Sequence, residues 1–348
     1  MITTERESAP TRRTRDNRQT PREFACYFDR FVIGQPQATK AVAVAISDHN
    51  RRVPDIKKSN VLIVGPSGCG KTELSRLAAK ITDVPFAEAK MSAKVRSGYA
   101  GDPLDSVFAD LIALDKERSK NGIVFLDEID KITDRNTGNF EYGIELQHQL
   151  IGWVESAVVK FRTLAKDIDH PDDHVYQDLD TTRVLFIAAG AFVGLEKIIA
   201  SRLNGRNSGR IASARLPELY EQIVPEDLIN FGFKPELVAR FPVITYVRPL
   251  SEGDLVVIMK TSENSSVAAQ LRLLEDGYGV QAELTEEAYH VLAKAALRLD
   301  SGARSLERVC FKLFEDIKFG IDPSTRRKKI VINEIDARRR LGVLCPSN

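Results

Sequence analysis

Gly65, Pro66, Ser67, Gly68, Cys69, Gly70, Lys71 and Thr72, reading GPSGCGKT, form the stretch on which the fold turns. It follows a short apolar run at 61–64 and precedes a segment whose apolar residues Leu74, Leu77, Ala78 and Ile81 recur at helical spacing. A strand, a glycine-rich turn and a helix in that order make a cradle for phosphate. The glycines let the main chain wrap closely around phosphate oxygens. The first helical turn offers unpaired N–H groups and the positive end of its dipole. Lys71 then reaches the terminal phosphates and Thr72 ligates magnesium, so ATP with Mg2+ is the expected cofactor.

Outward from this loop, short β-branched runs alternate with amphipathic stretches, the pattern of βαβ units and a parallel sheet. Strands are expected at 61–64, 123–126, 184–188 and 244–247. The second of these ends in Asp127 and Glu128, which places two carboxylates at the carboxyl edge of the sheet, where open α/β folds bind ligands. Asp127 suits the magnesium shell. Glu128 suits a base that orients the attacking water. Past Pro249 the strands nearly stop, and Ser251 with Asp254 reads as a helix cap and its partner. Two apolar stripes follow, one from Ala288 to Leu299 and one from Leu306 to Ile317, divided by Gly302, and a short strand is expected at 330–332. The fold class is therefore α/β, a P-loop parallel-sheet domain over residues 20–249 followed by a mainly helical small domain over 250–348. Residues 1–19 read as a disordered polar tail.

The bulk properties agree with this division. A chain of 348 residues exceeds the ~250 at which single cores stop growing. A formal charge of +1 supplies no field to gather nucleic acid or a membrane surface, so neither is an expected partner. No apolar run approaches the ~20 residues a membrane span needs, and the cytoplasm is the expected compartment. Cys26, Cys69, Cys310 and Cys345 form no CxxC pair and read as reduced thiols rather than a zinc site. Cys69 stands beside the phosphate cradle and a helix start. That position gives either an inert small side chain or a thiol of lowered pKa that makes the site redox sensitive. His170 and His174 bracket Asp172 and Asp173, but Pro171 and the acidic run favour a loop over a metal site. Trp153 shares a stripe with Leu146, Leu150 and Val154 and reads as core packing.

Several further segments, FVIGQPQATKAVAVAI, SGYAGDP, GIVFLDEIDKI, VLFIAAGAF, VPEDLINFGFKPELVARFP and SGARSLE, occur in this order around the glycine loop. With them the chain resembles the ClpX and HslU family of AAA+ protein unfoldases over roughly residues 20–340. The resemblance implies an ATPase that threads protein substrates through the pore of a homo-hexameric ring, with each nucleotide between neighbouring subunits. A peptidase partner is possible. By the same resemblance, Val32 and Ile33 contact adenine, Arg240 reaches the next subunit's nucleotide, Arg304 is the sensor arginine of the small domain, and Tyr99, within Gly98 to Gly101, grips substrate in the pore. The residues alone leave alternatives: Arg240 also suits an exposed salt bridge, Arg304 a partner for Glu307, and the Tyr99 segment an ordinary surface turn.

Departures from the family set further expectations. A short polar tail stands where ClpX carries a zinc domain, and only about 20 residues separate Gly101 from Gly122, where HslU carries an inserted domain. The stretch KDIDHPDDH is acidic where the ClpX entrance loop is basic, so substrate tags should differ. No Asn, Ser or Thr stands at Ala189 to orient the lytic water. The stretch from Ser201 to Gln222 has Ile211 and Ala212 but no aromatic residue before Tyr220, so docking on a ClpP-type peptidase is expected to differ from that of ClpX. Two competing classes share the P-loop and paired acids: a nucleic-acid motor or loader, and a regulatory ring that remodels one dedicated partner.

Overall fold

The computed structural model describes residues 19–342 except 52, 54–55, 98–103, 134–139, 156–157, 165–173, 207–215, 263–264, 300–301 and 322–328. Two helices come first, α1 (Pro21–Asp29) and α2 (Pro36–Arg51). Thr20 caps α1 in a reciprocal box with Glu23, and Phe24 and Phe28 on its inner face are fully buried. The alternating part runs β1 (Val61–Val64), α3 (Lys71–Thr82), β2 (Phe86–Lys90), α4 (Met91–Ser97), α5 (Ser106–Leu114) and β3 (Ile123–Asp127). A 3-10 turn over Ile129–Thr133 leads to α6 (Phe140–Val154), the hairpin β4 (Val158–Leu164) and β5 (His174–Asp180), and β6 (Leu185–Gly190). Four helices, α7 (Leu195–Arg206), α8 (Leu216–Tyr220), α9 (Pro225–Phe231) and α10 (Pro235–Val238), precede β7 (Val243–Tyr246). The rest is α11 (Glu252–Thr261), α12 (Ser266–Arg272), β8 (Gln281–Leu284), α13 (Glu286–Arg298), α14 (Arg304–Phe319), β9 (Lys329–Ile332) and α15 (Glu334–Leu341).

The main sheet has the order β2-β3-β6-β1-β7 and every pairing in it is parallel. The expected α/β architecture with a mainly helical continuation is thus the observed one. β1, β3 and β6 are near-continuous buried apolar runs, as strands covered on both faces must be. Their side chains alternate between two cores. Val61 and Ile63 face α1, α2 and α3, whereas Leu62 and Val64 face the side covered by α5, α6 and α7. The first of these cores continues through Val247 and Leu250 into α11, α13 and α14, so apolar packing is unbroken across residue 250.

The register aligns Val64 with Gly190 and Leu126 with Ala188, so the loops after β1, β3 and β6 leave the sheet at one edge. β6 begins one residue later than expected because Val184 closes a turn onto Thr181, and it extends to Gly190. β7 is shifted one residue earlier than 244–247. The Ser251–Asp254 capping box forms as expected, and Trp153 packs edge-on against Phe108 with ring centroids 4.7 Å apart. His174 opens β5 opposite Leu164, while His170 to Asp173 lie outside the described residues. Residues 1–18, the Gly98 to Gly101 segment with Tyr99, and Arg210 to Ala212 also lie outside them. No described helix is long and apolar enough to cross a membrane.

Candidate nucleotide site

The loop after β1 is held open by contacts that only glycine permits. Gly65 has φ +137, and a Cβ there would stand 2.3 Å from the Val247 carbonyl oxygen. Gly70 has φ +90, and its Cβ would meet Val32 Cγ1 at 2.9 Å, which brings the phosphate loop directly against the α1–α2 connection. α3 then starts at Lys71. The Lys71 ammonium is almost fully buried and donates to the carbonyl oxygens of Gly65 (2.7 Å) and Pro66 (2.8 Å). Burial pushes its pKa below the ordinary lysine range, and the carboxylates of Asp127 and Asp130 oppose that shift.

β3 delivers the acids. Thr72 Oγ1 lies 3.4 Å from Asp127 Oδ2, and the Glu128 N–H donates to Asp127 Oδ1 at 2.9 Å. Burial raises the Asp127 pKa, with the Glu128 N–H and Lys71 pulling the other way. Glu128 itself has φ +56, a left-handed conformation that costs a non-glycine residue ~1–2 kcal/mol. Strain of this kind at a strand end that faces a cavity is the mark of an imposed geometry. Lys71, Thr72, Asp127, Glu128 and Arg304 line one cavity of about 350 Å³. Arg304 is the first residue of α14 and is exposed toward that space, with no ion-pair partner among the described residues.

The donor set fits a magnesium–triphosphate group. Mg2+ takes hard oxygen ligands from one or two carboxylates and a hydroxyl and leaves its other positions to phosphate and water, which Thr72 beside Asp127 satisfies. A second cavity, about 170 Å³ and mostly apolar, adjoins the first and is lined by Val32, Ile33, Cys69, Leu250, Ile258 and Ala303. Val32 and Ile33 therefore line an apolar cavity beside the phosphate loop.

At Cys69 the structure bears on the two alternatives the sequence left open. Its thiol is buried, and that burial pushes its pKa up despite Lys71, which favours the inert small side chain over a thiol of lowered pKa. Ala189 is fully buried in β6 and brings no polar group to the site. A residue that sequence reasoning passed over does approach it. Asp130 is buried with Oδ2 3.4 Å from the Phe192 N–H and Oδ1 without a hydrogen-bond partner among the described residues, and Gly190 leaves room for it, since a Cβ there would come within 2.4 Å. Its signal was the second aspartate of LDEID, but the adjoining β6 turn is remote in sequence.

Arg240 is not at its own chain's cavity. Its carbonyl accepts from Asn60 Nδ2 at 2.9 Å, next to the amino end of β1, whereas the phosphate loop leaves the carboxyl end. Four residues of strand, ~13 Å, lie between. Its guanidinium pairs with Glu155 of the same chain.

Residues 56–244 match the model of the AAA domain family (Cdc48 subfamily). The chain is 34% identical over 339 residues to the ATP-dependent Clp protease ATP-binding subunit ClpX of Treponema denticola, covering 90% of this chain and 80% of the relative. It is 32% identical over 357 residues to the protein of the same description from Azotobacter vinelandii, covering 94% and 80%.

Proposed function

The chain belongs to the ClpX family of AAA ATPases, and on that premise we propose that it is the subunit of a ring that uses ATP to unfold other proteins. It is an ATPase that works with ATP and Mg2+. The observation that carries the site assignment is the convergence of Lys71, Thr72, Asp127, Glu128 and Arg304 on one cavity.

In this reading Lys71 and the loop N–H groups hold the phosphates, and Thr72 with Asp127 would hold the metal, which when bound would supply positive charge beside the phosphoryl oxygens. Glu128 takes the proton of the attacking water, since phosphoryl transfer needs mainly a positioned nucleophile and electrostatic support. Arg304 joins the nucleotide to the small domain. Arg240, at the far edge of the sheet, serves the neighbouring subunit's site in a head-to-tail ring of six. Residues 20–249 and 250–348 act as the two domains, and Tyr99 of the pore loop grips substrate. The substrates are proteins, and the ring works in the cytoplasm. The relatives are described as ATP-binding subunits of a Clp protease, and a peptidase is accordingly the further partner, engaged in a way that differs from ClpX because the Ser201 to Gln222 stretch lacks a large apolar anchor. The test is capture with Glu128→Gln, which should hold ATP and retain protein substrates and partners that the parent releases. A variant that retains none in ATP, while still binding it, would count against the unfoldase reading.

A further inference from the structure

The base cavity has two walls that come from distant parts of the chain. Val32 and Ile33, between α1 and α2, form one wall, and Leu250 with Ile258 of α11 forms the other. Three polar side chains just behind these walls tie them together. Gln35 is buried and grips the main chain of Arg248 from both sides: its Nε2 donates to the Arg248 carbonyl at 2.9 Å, and its Oε1 accepts the Arg248 N–H at 2.8 Å. The Arg248 guanidinium forms a two-pronged pair with Asp254, Nη1 to Oδ2 at 2.8 Å and Nη2 to Oδ1 at 3.0 Å. Asp254 is also the partner in the Ser251 cap at the start of α11.

The packing leaves no slack. Gly34 has φ +77, and a Cβ at that position would stand 2.6 Å from Asp254 Oδ1 and 2.8 Å from Arg248 Nη2. The loop that carries Val32 and Ile33 therefore rests directly on the ion pair. The fork of an arginine against a carboxylate fixes direction as well as distance, which a lysine in its place cannot do. Between Val247 and α11 there is no regular secondary structure, so the clamp adds directional polar ties to the apolar packing where α11 leaves the sheet.

From this geometry we infer that Gln35, Arg248 and Asp254 are positioning residues for the nucleotide base, holding the loop wall and the helix wall of its cavity together. The inference rests on the reading of that cavity as the base site. It assigns the clamp to base recognition alone, since none of its three residues lines the phosphate cavity. Affinity for ATP should depend on the clamp, and affinity for a ligand made only of phosphates should not.

Arg248→Met is the cleanest variant, because it removes the ion pair but keeps the main-chain bonds to Gln35 and the Ser251 cap. With the full chain and Mg2+, a fluorescent ATP analogue would be titrated and then displaced by ATP or by inorganic tripolyphosphate. The expected result is about a tenfold loss of ATP affinity with tripolyphosphate affinity held within about twofold. Arg248→Lys should fall between parent and Arg248→Met, and it carries the test if the methionine variant does not fold. Equal losses for both ligands, or no loss for either, would overturn the inference. A parent that binds ATP no better than tripolyphosphate would instead refute the reading of the cavity as a base site, and the clamp's role with it.

Discussion

The Ala303 N–H, at the turn before α14, donates to the carbonyl oxygen of Gly68 in the phosphate loop at 3.0 Å. Gly302 beside it has φ +59, and a Cβ there would lie 2.7 Å from that same oxygen. The helical part of the chain thus touches the phosphate loop through main chain, at a point where only glycine fits. Gly302→Val should open this contact at a backbone cost of ~1–2 kcal/mol, a factor of about 5 to 30. Nucleotide affinity measured by fluorescence titration should fall by that order. Unchanged affinity would mean that the turn rests on the loop without supporting it.

Glu128 follows the magnesium-side Asp127 and is held in a left-handed conformation. Glu128→Gln should bind ATP as the parent does and lose turnover by about 10²-fold or more. Its removal should not loosen the phosphate loop, since the tie to Asp127 is made by the main-chain N–H. Turnover at the parent rate would show that another group takes the proton.

Of the two readings of Arg240, the salt bridge is the one seen within this chain, and action across subunits is the proposal to be tested. The residue pairs with Glu155 within its own chain, and a partly exposed pair of this kind is worth only ~0–1 kcal/mol, so assembly can exchange it for a neighbour's phosphate. Glu155→Gln should therefore leave ring turnover within about twofold of the parent. Arg240→Ala should abolish most of it, and mixing Arg240→Ala with Lys71→Ala subunits should restore some. Assembled mixed rings with no activity would argue against action across subunits.

Cys69 supplies a pH prediction. Its folded pKa is raised, so below the ordinary thiol range the folded and unfolded chains both keep the proton and stability is unaffected. As pH rises through that range the unfolded chain ionises first, and stability is lost. Denaturant midpoints of the parent should drop between neutral and alkaline pH more than those of Cys69→Ser. Alkylation of the native thiol at neutral pH should be slow and should quicken on unfolding. Rapid native alkylation would restore the redox-sensitive reading.

Much of the architecture was legible because it is local. VLIV before GPSGCGKT, IVFLD with its trailing acids, and the apolar stripes of α13 and α14 each carry their own period. β2 was not read because FAEAK places two charged residues among its five, as an edge strand allows. The hairpin β4–β5 is exposed on alternate residues such as Val158 and Tyr176, and its charges mask the pattern. In the site, the residues of the motifs were found and the ties between motifs were not. Gln35 and Arg248 are 213 positions apart, and Asp130 meets Phe192 across 62, so only the folded sheet edge brings them together. The left-handed backbone at Glu128 likewise has no signature in a residue type that rarely adopts it.

The most direct test of the account is ATP-driven unfolding of a stable fluorescent protein that carries an unstructured tail. The tail should be basic, to suit the acidic KDIDHPDDH stretch. With Mg2+ and ATP the parent should extinguish the native fluorescence when refolding is blocked by a trap, and neither Glu128→Gln nor Tyr99→Ala should do so. If the parent hydrolyses ATP vigorously and the fluorescence stays intact with tails of either charge, while duplex DNA stimulates turnover, the chain is not an unfoldase.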